Sequence, residues 1–242
     1  MQTVSIDRSW WSWAGAHGGH LAGLGLAEMR AELGEDRPVR SLTTHFLAPV
    51  DDRDLSFSAQ VERAGRGTAM ASFRARQDGA TALHGSAVFG VAGTGPRHGH
   101  AAPDVPPIRE CEPLALPVEL APFSRHLEIR PATPDRPLAG GDRAELAAWM
   151  RFVDGRSIDA EAVVVLTDAL PPALFALWRA PRPVPSAELT VHFGESLADV
   201  GDWALVRIRT EHAASGWAVD DSAVWSTDGR LLALARQARR VL

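Results

Sequence analysis

A chain of 242 residues that is 45% hydrophobic and 23% charged can bury a sizeable core beneath a wetted surface, which excludes a disordered or fibrous protein. Its formal net charge of -5 argues against a nucleic-acid partner, because phosphate recognition usually needs a concentrated basic surface. Lys, Asn and Tyr are absent, so a Schiff-base lysine, a lysine-dependent phosphate loop and a tyrosine acid are unavailable, and the single Cys111 permits no internal disulfide.

In chain order, the first predicted element is a helix over residues 18–33, GGHLAGLGLAEMRAEL, opened by Gly18 and Gly19 and closed by Gly34. Its residues are apolar or small on nearly every face, which marks a helix buried all round. Four strands are predicted next, at 39–48, 54–64, 67–77 and 80–91, separated by turn signals such as PVDDRD, RAGRG and QDGA. One buried helix followed by an antiparallel meander implies a sheet wrapped around that helix. Residues 92–122 are dense in Pro and Gly and without period, and read as an interdomain crossing along the surface.

Strands are predicted again at 124–130 and 144–153, then a helix from Ile158 to Leu170 broken by Pro171 and Pro172. Four further strands are expected at 187–193, 203–212, 216–226 and 230–240, with TDGR at Thr227 to Arg230 as a hairpin turn. The second half thus restates the first. SLTTHF at Ser41 to Phe46 returns as ELTVHF at Glu188 to Phe193, and Gly67, Ala69, Asp78 and Gly79 correspond to Gly216, Ala218, Asp228 and Gly229. A repeat this long and present twice is a duplicated domain rather than a solenoid. The expected division is residues 1–92, a linker over 93–122, and residues 123–242, with the site between two similar halves.

Asp168 is the first candidate for chemistry, because it stands late in a helix otherwise made of Val, Leu and Ala. It is either a helix-end carboxylate turned to solvent or a buried one, and a buried carboxylate needs partners. Gln237 is the second, since period-two alternation places it on the face of Leu231, Ala233 and Ala235, while Ala87 holds the equivalent place in the first half. It either satisfies buried backbone or holds a water or substrate. Ser186 could supply a hydroxyl nearby, although strict alternation puts it in phase with Glu188, Thr190 and His192, so it needs a bulge to face the core. Gly18 and Gly19 suggest a helix start whose N–H groups could approach a carbonyl or phosphate closely.

His17 and His20 lie three apart, but a zinc site would need further ligands and no metal is expected. The sequence contains no dinucleotide, phosphate-loop or hydrolase-elbow spacing. Trp10, Trp11 and Trp13 read as packing or as the wall of an apolar pocket. Arg236, Arg239 and Arg240 read as the solvated end of a terminal strand, or as a patch for a phosphate-bearing ligand. No charged-then-apolar leader and no apolar run near the ~18 residues of a membrane span is seen, so the cytoplasm is expected, with no membrane partner.

HGGHLAGLGLAEM, TTHFLAPV, the LTD of the second helix, SAELTVHF and STDGRLLALARQARRVL together resemble the acyl-CoA thioesterase II family, the double-hotdog thioesterases, over essentially the whole chain. The resemblance implies an α+β fold in which two hotdog units, each a curled antiparallel sheet around a long central helix, pair edge to edge. It implies hydrolysis of an acyl-CoA or other acyl-thioester in a tunnel between the helices, without cofactor; a homo-oligomer built from outer sheet surfaces is also expected. It assigns the catalytic trio to Asp168, Ser186 and Gln237, which would hold and activate a water, with His17, Gly18 and Gly19 on the substrate side. Ser186 stands where the family more often has Thr. Two other readings stay open: a non-hydrolytic acyl-chain binder, and a hotdog enoyl-thioester hydratase or dehydratase, which would call for His17 or His20 facing Asp168.

Overall fold

The computed structural model describes residues 2–13, 15–34, 37–96 and 98–242; Ala14 of the WAGAHGGH segment and Arg97 of the linker lie outside them. The first unit contains β1 (Gln2–Val4), β2 (Trp11–Ser12), β3 (Gly15–Ala16), α1 (Gly18–Leu33), β4 (Val39–Phe46), β5 (Leu55–Ala64), β6 (Thr68–Gln77) and β7 (Ala80–Gly90). The second contains β8 (Leu127–Pro131), β9 (Glu145–Phe152), α2 (Ala160–Thr167), β10 (Ser186–Phe193), β11 (Ala204–Ala214), β12 (Trp217–Ser226) and β13 (Leu231–Arg240). Among the described residues, eleven strands form one antiparallel sheet in the order β1-β5-β6-β7-β4-β10-β13-β12-β11-β9-β8, and β2 pairs with β3 apart from it.

The two units join where β4 meets β10, with Thr43 opposite Thr190 and their hydroxyls 3.0 Å apart. Each half of the sheet curls around its helix, which is the double-hotdog arrangement. No helix among the described residues is long and apolar enough to cross a membrane.

α1 begins where the His17 ring nitrogen Nδ1 accepts the His20 N–H at 3.2 Å, and it ends at Gly34, whose φ of 66° favours glycine. Leu21, Ala22, Leu26 and Met29 are all buried beneath the sheet. Gly25 lets the helix lie on β6, since a Cβ there would be 2.4 Å from the Phe73 ring. The two helices also touch directly, and Arg30 of α1 pairs with Glu161 of α2 at 2.9 Å.

The predicted second helix is shorter than Ile158–Leu170: α2 has eight residues, not the long central helix of its counterpart. Asp159 caps its start by accepting the Ala162 N–H at 2.8 Å. Its end is dictated by the two prolines, because Pro171 offers no N–H and disfavours helical backbone at Leu170. Asp168 has already left the helix, with φ -116°. The strand predicted at 124–130 is likewise corrected, since Pro122–His126 forms a 3-10 turn and β8 starts at Leu127. β1 was not predicted; at three residues it carries too little pattern to read.

The linker does cross the surface, but it also seals one face of it. Trp149, Leu205 and Trp225 stand side by side across β9, β11 and β12, and Ala102, Val105 and Ile108 pack on the cluster they form. The two indoles bond the linker backbone, Trp149 to the Pro106 carbonyl at 2.9 Å and Trp225 to that of His100 at 3.1 Å.

Candidate active site

The end of α2 delivers Asp168 to the start of α1, and its side chain is only 8% exposed. Oδ2 accepts the Gly19 N–H at 2.8 Å, where the positive end of the α1 dipole adds to the attraction. Oδ1 accepts from Gln237 Nε2 at 2.6 Å and from Arg239 Nη2 at 3.2 Å. Burial works to raise the Asp168 pKa, but His17, the Arg239 charge and the bonds from Gln237 and Gly19 outweigh it, so the carboxyl is held below its ordinary range.

Gln237 projects inward from β13 and also donates to Ser186 Oγ at 3.2 Å. Ser186 reaches it because the β10–β13 register shifts between Ser186 and Glu188, which supplies the bulge that strict alternation lacks. His17 Nε2 lies 3.0 Å from the Asp168 carbonyl oxygen and 3.6 Å from Oδ2. Since Nδ1 accepts a helix N–H, Nε2 carries the proton and donates to that carbonyl. Burial leads the lowering of the His17 pKa, so the ring is neutral at physiological pH.

Around Asp168, then, Gly19 and Gln237 bond it directly, His17 and Gly18 adjoin it, and Ser186 joins through Gln237. Two readings change. Gly19 N–H is not free for a substrate, because Asp168 occupies it. The arginine cluster divides: Arg236 pairs with Asp221 at the surface, Arg240 lies 5.5 Å over the Trp217 ring, and Arg239 is buried, its side chain 5% exposed. Arg239 is neither a solvated strand end nor a phosphate patch. The alternation that exposed Gln237 continues to Arg239, so the signal was present, but a charge at a strand end is ordinarily read as solvated.

Behind the carboxylate, Trp10 is sandwiched between His20 and His126, with ring centroids at 4.2 and 4.0 Å and planes within 7°. Trp10 and Trp11 pack against the core, whereas Trp13 is 38% exposed. Burial, then the neighbouring His17, His126 and Arg156, push the His20 pKa down to about 3. A depressed histidine stabilises the fold fully above its ordinary value of 6.5 and loses that contribution as pH falls toward about 3. His20→Phe keeps a ring on Trp10 and is expected to flatten this acid limb of stability, read by denaturant melts across that window. An unchanged limb would show that another group causes it.

A groove of about 400 Å³ runs beside Leu114, Leu116, Leu127 and Val153, away from Asp168. Among the described residues no cluster of His, Cys, Asp and Glu has the arrangement of a metal site.

Residues 7–90 match the family model described as the acyl-CoA thioesterase N-terminal domain, and residues 96–241 match that of the C-terminal domain. No protein of curated description matches the chain. Among solved structures, a conserved protein of unknown function with hot dog fold from Alicyclobacillus acidocaldarius is 24% identical, with TM-score 0.93, covering 99% of this chain and 92% of that one. The acyl-CoA thioesterase II TesB2 of Mycobacterium marinum is 22% identical, with TM-score 0.77 and coverage of 99% and 92%. The tesB protein of Mycobacterium avium subs paratuberculosis is 19% identical, with TM-score 0.78 and coverage of 100% and 96%. At these identities the likeness is one of fold.

Proposed function

We propose that this chain, which belongs to the acyl-CoA thioesterase family, hydrolyses an acyl-CoA thioester to the free acid and CoA by direct attack of water. The supporting observation is the buried, ionised Asp168 carboxylate with Gln237 and Ser186 gathered at it. The two units are taken as residues 1–92 and 123–242, joined by 93–122.

A carboxylate can accept about four hydrogen bonds, and three on Asp168 are occupied by protein donors. Gly18 lets its backbone lie close to Oδ2, since a Cβ there would stand 3.0 Å from Oδ2 and 3.2 Å from the Phe46 ring. A water at the remaining accepting position of the carboxylate gives its proton to Asp168 while its oxygen attacks the thioester carbonyl. The tetrahedral oxyanion then collapses and expels the CoA thiolate, which takes the proton held by Asp168, leaving the acid and CoA and restoring the carboxylate. Gly18 N–H has no acceptor among the described residues and is the donor we assign to the oxyanion.

Release of CoA thiol from a panel of acyl-CoAs graded in length and polarity tests the reading. Turnover supports it; tight binding without turnover would make the chain an acyl-chain binder. Because Asp168 is held below the ordinary 3.8, kcat is expected to stay level through neutral pH and to fall only below that value, as the base becomes protonated. The ion pairs of Asp168 follow the same sign, stabilising the fold above the ordinary value and fading as pH drops through the lowered one. A kcat limb near neutrality would mean that another group is the base.

The closeness of His17 to Asp168 favours hydration of an enoyl-thioester as a second reading. Against it, both ring nitrogens are already committed to backbone partners. Incubation with a 2-enoyl-CoA separates the two, since a hydratase consumes the double bond without releasing thiol.

A further inference from the structure

The duplication supplies an internal control for the polar groups of the site. Ser186 pairs with Arg239 as Val39 pairs with Phe89, each beside a register shift. Thr210 faces Asp220 as Val61 faces Ala71. Asp220 in turn faces Gln237 as Ala71 faces Ala87. The first unit fills these places with apolar side chains, so the sheet packs without any charge there. Asp220 and Arg239 are 1% and 4% exposed, and burying them carries a desolvation cost that the architecture does not require.

Arg239 touches every member of the trio. Nη1 donates to Ser186 Oγ at 3.0 Å, and Nη2 donates to Gln237 Oε1 at 2.6 Å and to Asp168 Oδ1 at 3.2 Å. A guanidinium only donates, so Gln237 must turn its oxygen to Arg239 and its NH2 to Asp168 and Ser186. Asp220 secures the other side: Oδ2 lies 2.9 Å from Arg239 Nε as a charge contact without hydrogen-bond alignment, and Oδ1 accepts from Thr210 at 2.6 Å.

We propose that the Asp220–Arg239 pair is a positioning device built into the second unit alone: Asp220 fixes the guanidinium, and the guanidinium fixes Gln237 and Ser186 on Asp168. The proposal rests on the hydrolytic reading of Asp168. The charged and titratable groups facing that carboxylate are His17 from the start of α1 and Arg239 from β13, with Asp220 of β12 behind it.

The double variant Asp220→Ala/Arg239→Phe installs the residues that the first unit already packs at these places, and is expected to fold with a lower Tm than the parent's, because Asp168 loses its buried cation. Its kcat is expected to fall about 10²-fold with KM little changed, the scale of a misplaced reacting group. Asp168 should also titrate at higher pH, followed by the ¹³C signal of its carboxyl, and the Gln237 side-chain amide signals should shift. A folded variant with parental kcat, Asp168 titration and Gln237 signals would overturn the proposal. If the parent turns over no acyl-CoA, the hydrolytic reading fails, and the two spectroscopic signals alone decide the positioning. Should the double variant not fold, Arg239→Lys decides: loss of the parental Gln237 signals supports the proposal, and their retention overturns it.

Discussion

Asp168→Asn is expected to lower kcat for acyl-CoA hydrolysis by about 10²- to 10⁴-fold, the range that a positioned general base contributes. Every group around this side chain is a donor: Gly19 N–H, Gln237 Nε2 and Arg239 Nη2. An asparagine has one oxygen for these donors and must aim its own NH2 at the others, so it loses both basicity and an accepting face. Stability should fall as well, but by less than the roughly 3–5 kcal/mol of a stranded buried charge, because Asp220 remains as a counter-ion to Arg239. Thiol release and a thermal melt on the same preparation separate the two effects. Parental turnover in the folded variant would remove Asp168 from the mechanism.

Gly19→Ala is expected to damage the site from the other side. A Cβ there would stand 2.9 Å from Asp168 Cβ, 3.0 Å from His17 Cε1 and 3.1 Å from the Val164 carbonyl oxygen. Alanine gains about 1 kcal/mol of helix propensity over glycine. Overpacking costs about 1–3 kcal/mol, and the backbone oxygen of α2 leaves little room to give. The net expectation is a lower Tm together with a loss of kcat, as Asp168 is pushed from Gln237. Gly23→Ala is the control in the same helix, since its Cβ would meet nothing nearer than the Glu161 carbonyl oxygen at 3.4 Å. It should be neutral or mildly stabilising. Equal behaviour of the two variants would mean that the close approach at Gly19 has no consequence.

The fold was legible because its signals are local and repeated. Turn residues such as Asp78-Gly79 and Asp228-Gly229 bound strands of plain alternation, and glycines let α1 lie flat on a neighbouring ring. The end of α2 was less legible: apolar residues continue past Thr167, and only the backbone consequence of Pro171 stops the helix three residues before the chain reaches it. Within the site, Asp168 and Gln237 were visible as polar residues in apolar patterns. Ser186 was ambiguous because a bulge reverses the face that alternation assigns, a displacement that pairing reveals and composition does not. Arg239 was misread for a different reason. Its inward phase was available, but burial of a guanidinium becomes credible only with Asp220 and Asp168 on either side, and these come from separate elements.

The most direct test of water attack at Asp168 is a single turnover of an acyl-CoA in H₂¹⁸O, with enzyme in excess and both the released acid and the Asp168 peptide examined by mass. Direct attack predicts one ¹⁸O atom in the released acid and none in the peptide that carries Asp168. An unlabelled acid with ¹⁸O in the Asp168 carboxyl would show that the carboxylate itself attacked the thioester, which contradicts the account.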